Sequence, residues 1–193
     1  MKHNIYLVLL ILAFVSCGED YIPKPKAYLR LDYPEANYTQ SNSELPFLFE
    51  TNGLAKNITY KQLAAPTTSY GINIEYPALK GTIFLTYKAI EENQKNLEDY
   101  LRDAQKFTLE HTIKADEIPV YPFEDKKRRV YGVLSEVKGN VASPVQFYIT
   151  DSVNHFLTGS LYFHAKPNYD SILPAAHYLE KDIKHIMETV RWK

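Results

Sequence analysis

The six histidines are the first residues in this 193-residue chain that could support metal or acid–base chemistry. His177 and His185 are eight residues apart on one predicted helix, which places them about 80° out of alignment, whereas a zinc-binding helix uses the i, i+4 spacing. His155 and His164 are nine residues apart near one predicted strand, and an odd separation on a strand sends side chains to opposite faces. We therefore expect neither a metal site nor a bound cofactor.

The segment 151–155 brings an aspartate, a serine and a histidine together in sequence. A Ser-His-Asp triad is assembled from distant segments around a strained nucleophile turn, and the chain contains no G-x-S-x-G pattern. Asp151 and Ser152 are therefore interpreted as turn formers between two strands. No catalytic residue is predicted, although a hydrolase that uses His155 or His111 stays open as an alternative.

A charged cluster at residues 124–129 reads E-D-K-K-R-R. Mixed sign is typical of a solvated turn, and exposed charges usually contribute little to stability. The alternative is a docking patch for another protein. Its candidate interface residues are Lys126, Lys127, Arg128 and Arg129.

Cys17 is the only cysteine, so an internal disulfide and a cysteine-rich metal centre are excluded. It follows an apolar run at residues 5–15 that is preceded by Lys2. A helix of about eleven residues reaches about 16 Å, which is too short to cross a bilayer and is typical of a secretory signal peptide. Val15-Ser16-Cys17 resembles a bacterial lipobox, which predicts cleavage between Ser16 and Cys17 and acyl chains on Cys17. An ordinary signal peptide with an incidental free thiol is the alternative.

These N-terminal features divide the chain into three predicted regions. Residues 1–16 are predicted to be a lipoprotein signal peptide, residues 17–27 a lipidated tether stiffened by Pro23 and Pro25, and residues 28–193 a single domain. More than one acyl chain gives stable anchoring, so the predicted partner is the membrane and the predicted location is the cell envelope.

Composition limits the remaining functions. Lys+Arg number 22 and Asp+Glu 23, a balance that argues against a nucleic-acid partner, because neutralising phosphates needs a cationic surface. The hydrophobic fraction of 45% is enough for a packed core in one domain. A high tyrosine content favours β-structure.

Hydrophobic periodicity predicts the elements of that domain. Strands are predicted at 27–33, 46–50, 69–76, 81–87, 130–137, 145–150 and 156–164, with 69–76 and 81–87 paired as a hairpin and the last three as antiparallel neighbours. A helix with Asn96 as its N-cap is predicted at 96–111, and residues 113–129 are predicted to be a loop with a charged turn.

The clearest predicted helix lies near the C-terminal end. Its apolar stripe consists of Ile172, Ala176, Leu179, Ile183, Ile186, Met187 and Val190, with Asp170 or Ser171 as the cap. The element order predicts an α+β fold: a mainly antiparallel sheet with one central helix and one long C-terminal helix packed on it. A PsbP/Mog1-like sandwich is an analogy of element order.

Several segments together resemble one known family. They are residues 17–35, 80–87, 111–118, 131–152, 155–163, 167–174 and 182–193. In this order they resemble the gliding-motility lipoprotein family GldD of the Bacteroidetes over nearly the whole mature chain.

The resemblance implies an envelope lipoprotein that is needed for gliding motility and for the associated type IX secretion machinery. It implies a non-enzymatic accessory or assembly factor whose partners are other machinery proteins, anchored by lipid at Cys17 and facing the periplasm or the outer membrane. The alternatives are an envelope hydrolase and a small-ligand or glycan-binding lipoprotein with a tyrosine-rich surface. These alternatives differ in the site they require. A hydrolase needs titratable groups that converge in a pocket, a ligand-binding protein needs an apolar cavity, and an assembly factor needs an exposed patch for its protein partner.

Overall fold

A seven-stranded antiparallel sheet is the central element of the fold. The computed structural model describes residues 32–41, 44–109, 115–139, 141–164 and 169–193. The strands are β1 (Tyr38–Gln40), β2 (Phe47–Leu48), β3 (Glu50–Asn52), β4 (Asn57–Gln62), β5 (Ser69–Tyr76), β6 (Gly81–Ala89), β7 (Ala115–Glu117), β8 (Val120–Asp125), β9 (Val130–Glu136), β10 (Lys138–Gly139), β11 (Val145–Thr150), β12 (His155–Phe163) and β13 (Arg191–Trp192). The helices are α1 (Gln94–Leu109) and α2 (Tyr169–Thr189), with a 3₁₀ turn at Pro77–Leu79.

The order of the large sheet is β4-β5-β6-β12-β11-β9-β8. The predicted hairpin is confirmed, since β5 pairs with β6 across the 3₁₀ turn, which Lys80 closes in the left-handed conformation. The predicted neighbours β9, β11 and β12 are also confirmed. Three two-stranded ribbons, β1–β3, β7–β10 and β2–β13, complete the strands of the described residues. This is the α+β domain that the element order predicted.

Helix α2 covers one face of the sheet and forms the main core with it. The predicted stripe is buried, and Leu179 and Ile183 have no exposed surface. The close approach of α2 to the sheet depends on Gly81 of β6. A Cβ at this position would lie 2.8 Å from Leu179 Cδ1 and 3.2 Å from Phe163 Cε1. Lys181 lies on the exposed face of the helix, away from the stripe. The alternation of apolar residues in the strands, the turn residues of the hairpin and the apolar stripe of α2 are thus enough to explain the packing on this face of the sheet.

Helix α1 lies on the opposite face of the sheet. Ile90, Leu97 and Phe156 form a second, smaller core there, whereas Leu157, the next residue of β12, belongs to the main core. The predicted cap was wrong by three residues: Asn93 Oδ1 accepts the Lys95 N–H, and the Asn96 amide donates to the Ile90 carbonyl. Asn93 satisfies a helix-end donor, which is the function of an N-cap.

The predicted loop at 113–129 was wrong in large part. Residues 115–117 form β7, and residues 120–125 form β8, the outermost strand of the large sheet. Pro122 is tolerated because an edge strand has one unpaired side, where a missing N–H costs little. Only residues 126–129 form the expected charged turn. Strands β1, β4, β10 and β13 were not predicted.

Several N-terminal predictions lie outside the described residues. These are the signal peptide, the tether, the lipidation of Cys17 and most of the predicted strand at 27–33, of which Asp32 and Tyr33 are described and are not in a strand. Within the described ranges, neither helix is both long enough and apolar enough to span a bilayer.

Candidate functional site

An apolar groove lies on the sheet face that carries α1. Strands β6, β12, β11 and β9 form its floor, and the C-terminal half of α1 forms one wall. Its volume is about 570 Å³, within the range of roughly 300–1,000 Å³ that is usual for small-molecule sites. Its apolar lining includes Phe84, Phe107, Val120, Val133, Tyr148 and Phe156. We call this feature the groove.

A row of polar side chains crosses the floor of the groove. Ser135, Gln146 and Ser160 are direct cross-strand neighbours on β9, β11 and β12. Gln146 is only 3% exposed. Its Oε1 accepts a hydrogen bond of 2.9 Å from Thr108 of α1, and within the described part of the chain its Nε2 has no hydrogen-bond partner. A buried amide whose nitrogen has no hydrogen-bond partner is uncommon in proteins.

Aromatic contacts hold α1 over the sheet at one end of the groove. The Tyr100 ring lies 5.6 Å from that of Phe156, and Tyr148 stacks on Phe156 at 5.7 Å with an interplanar angle of 9°. Tyr100 also donates to the Ala89 carbonyl and bonds to the Thr67 hydroxyl at 2.8 Å. The groove is therefore bounded on this side by a well-packed part of the helix.

The charged groups of the groove do not form a catalytic pair. Among its described lining residues, the ions are Lys88 and Asp103, whose Nζ and Oδ2 atoms are 3.5 Å apart. Lys88 Nζ also lies 4.6 Å from the Tyr100 ring centroid. Burial raises the pKa of the Tyr148 hydroxyl above its ordinary value, so this phenol stays protonated at neutral pH.

The histidines are dispersed, and those described have structural partners or solvent around them. His155 and His164 do point to opposite faces: His155 Nδ1 lies 2.9 Å from the Tyr87 hydroxyl, and His164 Nε2 lies 2.9 Å from Thr82 Oγ1. His177 is exposed, and His111 lies outside the described residues. In the described ranges, no three potential ligands from His, Cys, Asp and Glu are grouped around a metal position.

Asp151 is the turn former that its sequence context predicted. Its Oδ1 accepts the backbone N–H groups of Val153, Asn154 and His155 at 2.8–3.0 Å. Ser152 has a φ of 67°, the left-handed conformation of a tight turn. The His155 ring stacks on Trp192 at 5.0 Å, and burial lowers its pKa below the ordinary value. The carboxylate, the hydroxyl and the imidazole therefore do not form a triad.

The four candidate interface residues lie at the β8–β9 turn, at the outer edge of the sheet. Arg128 is paired in place, because Asp125 accepts hydrogen bonds from its backbone N–H and from its guanidinium. These bonds hold the pKa of the Asp125 carboxyl below its ordinary value. Lys126, Lys127 and Arg129 are exposed. The hypothesis of a docking patch here stays a prediction.

Sequence reasoning missed a buried carboxylate on the other face. Asp182 of α2 is 1% exposed and accepts hydrogen bonds from Tyr38 at 2.7 Å and from Asn52 at 3.0–3.1 Å. These contacts connect the β1–β3 ribbon to α2. Burial raises the pKa of Asp182, although the two hydrogen bonds act in the opposite direction. Its place beside Leu179 and Ile183 in the apolar stripe was the available signal.

Asp182 makes the stability depend on pH in a defined direction. Because its pKa is higher in the folded than in the unfolded protein, the folded state binds the proton more tightly and gains stability as the pH falls through that raised value. We expect the wild type to gain stability on acidification relative to Asp182→Asn. Urea unfolding of both proteins from neutral pH down to about pH 4 measures the difference. A difference that stays constant, or that favours the variant on acidification, contradicts this expectation.

Comparison with known proteins gives one match. A family model described as gliding motility lipoprotein GldD matches residues 18–192. No curated protein and no solved structure matches the chain.

Proposed function

Because the chain belongs to the gliding motility lipoprotein family GldD, we propose that it is a lipid-anchored accessory factor of the gliding machinery that acts by binding and not by catalysis. The proposal extends to the associated type IX secretion machinery, to which the family resemblance points. The domain would be held at the envelope membrane through Cys17, facing the periplasm or the outer membrane. Its groove would then be available to other components of the envelope.

The groove is the observation that carries this proposal. It combines aromatic walls with a buried amide at Gln146 whose nitrogen has no partner among the described residues, and these are features of recognition. A catalytic role has less support, since the most plausible acid–base residues have structural contacts. Asp151 accepts three backbone N–H groups of its own turn, and His155 lies between Tyr87 and Trp192.

Complementation of a strain that lacks the gene tests the proposal. Ser160→Phe adds a ring to the groove floor without entering the main core, and we expect it to abolish most colony spreading. Asp151→Asn keeps the side-chain oxygen that accepts the turn N–H groups, and His155→Gln keeps a polar side chain that can bond to Tyr87 while losing the ring stacked on Trp192. We expect both to give spreading close to that of the wild type. Gliding of single cells on glass is the second readout, and immunoblots establish equal accumulation.

Thr59→Phe is the matched control for the groove variant. Thr59 is exposed on edge strand β4 and pairs with Asn73, which pairs with Phe84, so it lies on the same sheet face but outside the groove. Cells that carry Thr59→Phe should glide normally. A stable and anchored Asp151→Asn or His155→Gln protein that fails to support gliding would decide for the envelope hydrolase.

A further inference from the structure

The Gln146 amide indicates which kind of molecule the groove binds. We propose that the groove binds a neutral acyl ester, that is, a hydrocarbon chain with a carbonyl group, which accepts a hydrogen bond from Gln146 Nε2. This inference deepens the proposed function and rests on it. It specifies the chemical class of the molecule that the groove binds.

The hydrogen-bonding state of Gln146 is the first step. Thr108 Oγ1 lies 2.9 Å from Gln146 Oε1 and 3.2 Å from the Ala104 carbonyl. With Oε1 engaged, the amide nitrogen keeps two N–H donors, and neither has a partner in the described part of the chain. Leaving such a group unsatisfied is unfavourable, because it has given up its hydrogen bonds to water without replacing them. A ligand oxygen at this position would remove the cost, so the site favours a molecule with an acceptor.

The charges in the groove lining favour a neutral ligand over an ionic one. The charged residues of the groove lining, Lys88 and Asp103, pair with each other. A carboxylate next to Gln146 would therefore be desolvated without a dedicated cation, which is costly. The remaining lining near the row is aromatic, aliphatic or hydroxyl-bearing. A neutral ester suits this environment better than a free fatty acid.

The topology favours a lipid chain over an extended peptide. The floor strands β6, β12, β11 and β9 are each paired on both sides, so they present no free backbone edge to a peptide strand. The N–H and C=O groups of a peptide lying across the groove would lose water without gaining partners. A hydrocarbon chain has no such groups. A glycan carries many hydroxyl groups that each need a partner, whereas most of the groove surface is apolar.

Photolabelling of the full-length protein in phosphatidylcholine vesicles tests the assignment. The two probes are a long-chain fatty acid methyl ester with a diazirine in its chain and a hydrocarbon of equal length with the same diazirine. Peptide mapping should place the label on β6, β11, β12 and α1, with the ester favoured about three- to tenfold, the effect of one hydrogen bond. Gln146→Leu should bring this ratio close to one. Ser160→Phe should remove the label, and Thr59→Phe should retain it.

The same labelling of the wild type and Cys17→Ala, both in detergent micelles so that loss of the anchor does not change access to the probes, distinguishes two sources of the ester. Labelling that is equal in both proteins indicates a free membrane lipid, and labelling that rises in Cys17→Ala indicates that the protein's own acyl chain competes; both results support the ligand class. Equal labelling by the two wild-type probes, or an unchanged ratio in folded Gln146→Leu, overturns it. So does a folded wild-type protein whose groove takes neither probe. A Ser160→Phe strain that fails to glide would then still support the binding function without the lipid.

Discussion

Ile183→Asp is expected to unfold the domain at ordinary temperatures. Ile183 has no exposed surface and lies in the centre of the α2 stripe that covers the sheet. The substitution removes buried aliphatic volume and places a carboxylate where it has no counter-charge, a combined cost of at least about 4 kcal/mol. This is comparable to the whole stability of a typical domain, roughly 5–15 kcal/mol. Circular dichroism during thermal and urea unfolding measures the loss.

Lys181→Asp provides the matched control on the same helix. Lys181 is exposed on the opposite face, so the same new side chain should change the free energy of unfolding by no more than about 0.5 kcal/mol. If both variants had the thermal midpoint of the wild type, the stripe would not be the buried contact described above.

Cys17→Ala should release the protein from the membrane while leaving the domain folded. A buried acyl chain contributes about 0.8 kcal/mol per CH₂ group, and stable anchoring needs more than one chain. The predicted modification lies well before the first described residue, Asp32, so the core should not depend on it. We expect the wild type in the membrane pellet after a high-salt wash and the variant in the supernatant.

Metabolic incorporation of an alkyne fatty acid gives a second measurement of lipidation. The label should be present in the wild type and in Gly18→Ala, and absent from Cys17→Ala. Variant protein that stays in the washed pellet and keeps its label would rule out Cys17 as the lipidation site. An unchanged thermal midpoint of the released variant would establish that the anchor and the domain are energetically separate.

The periodicity of apolar residues predicted those helices and strands that bury one face against a core. Helix α2 and strands β5, β6, β11 and β12 each place apolar side chains against a core, so the stripe or alternation is visible in the sequence. Strand β4 is exposed along its whole length, and β8 contains Pro122 and acidic residues. Edge strands receive their geometry from a neighbour and not from burial, so their sequences carry little signal.

The groove could not be predicted, because it is made by register between distant segments. Alternation alone sends Gln146 to the face away from Val145 and Phe147, where it would be read as a solvent-facing residue. Its burial depends on Thr108 of α1 reaching over the sheet and on β12 lying between β6 and β11. The turn role of Asp151, in contrast, was predictable because the hydrogen bonds it makes are local.

The position of α2 in the chain also bears on when the domain can fold. Every strand of the large sheet precedes α2 in sequence, and α2 supplies a large part of the apolar side chains that pack on one face of that sheet. During synthesis, the sheet segments therefore emerge while their cover is still missing, and ribbon β2–β13 closes only afterwards. Because a half-covered sheet is unstable, we expect stable structure to form late, after nearly the whole domain is available. The main core is therefore completed only when α2 is available to pack on the sheet.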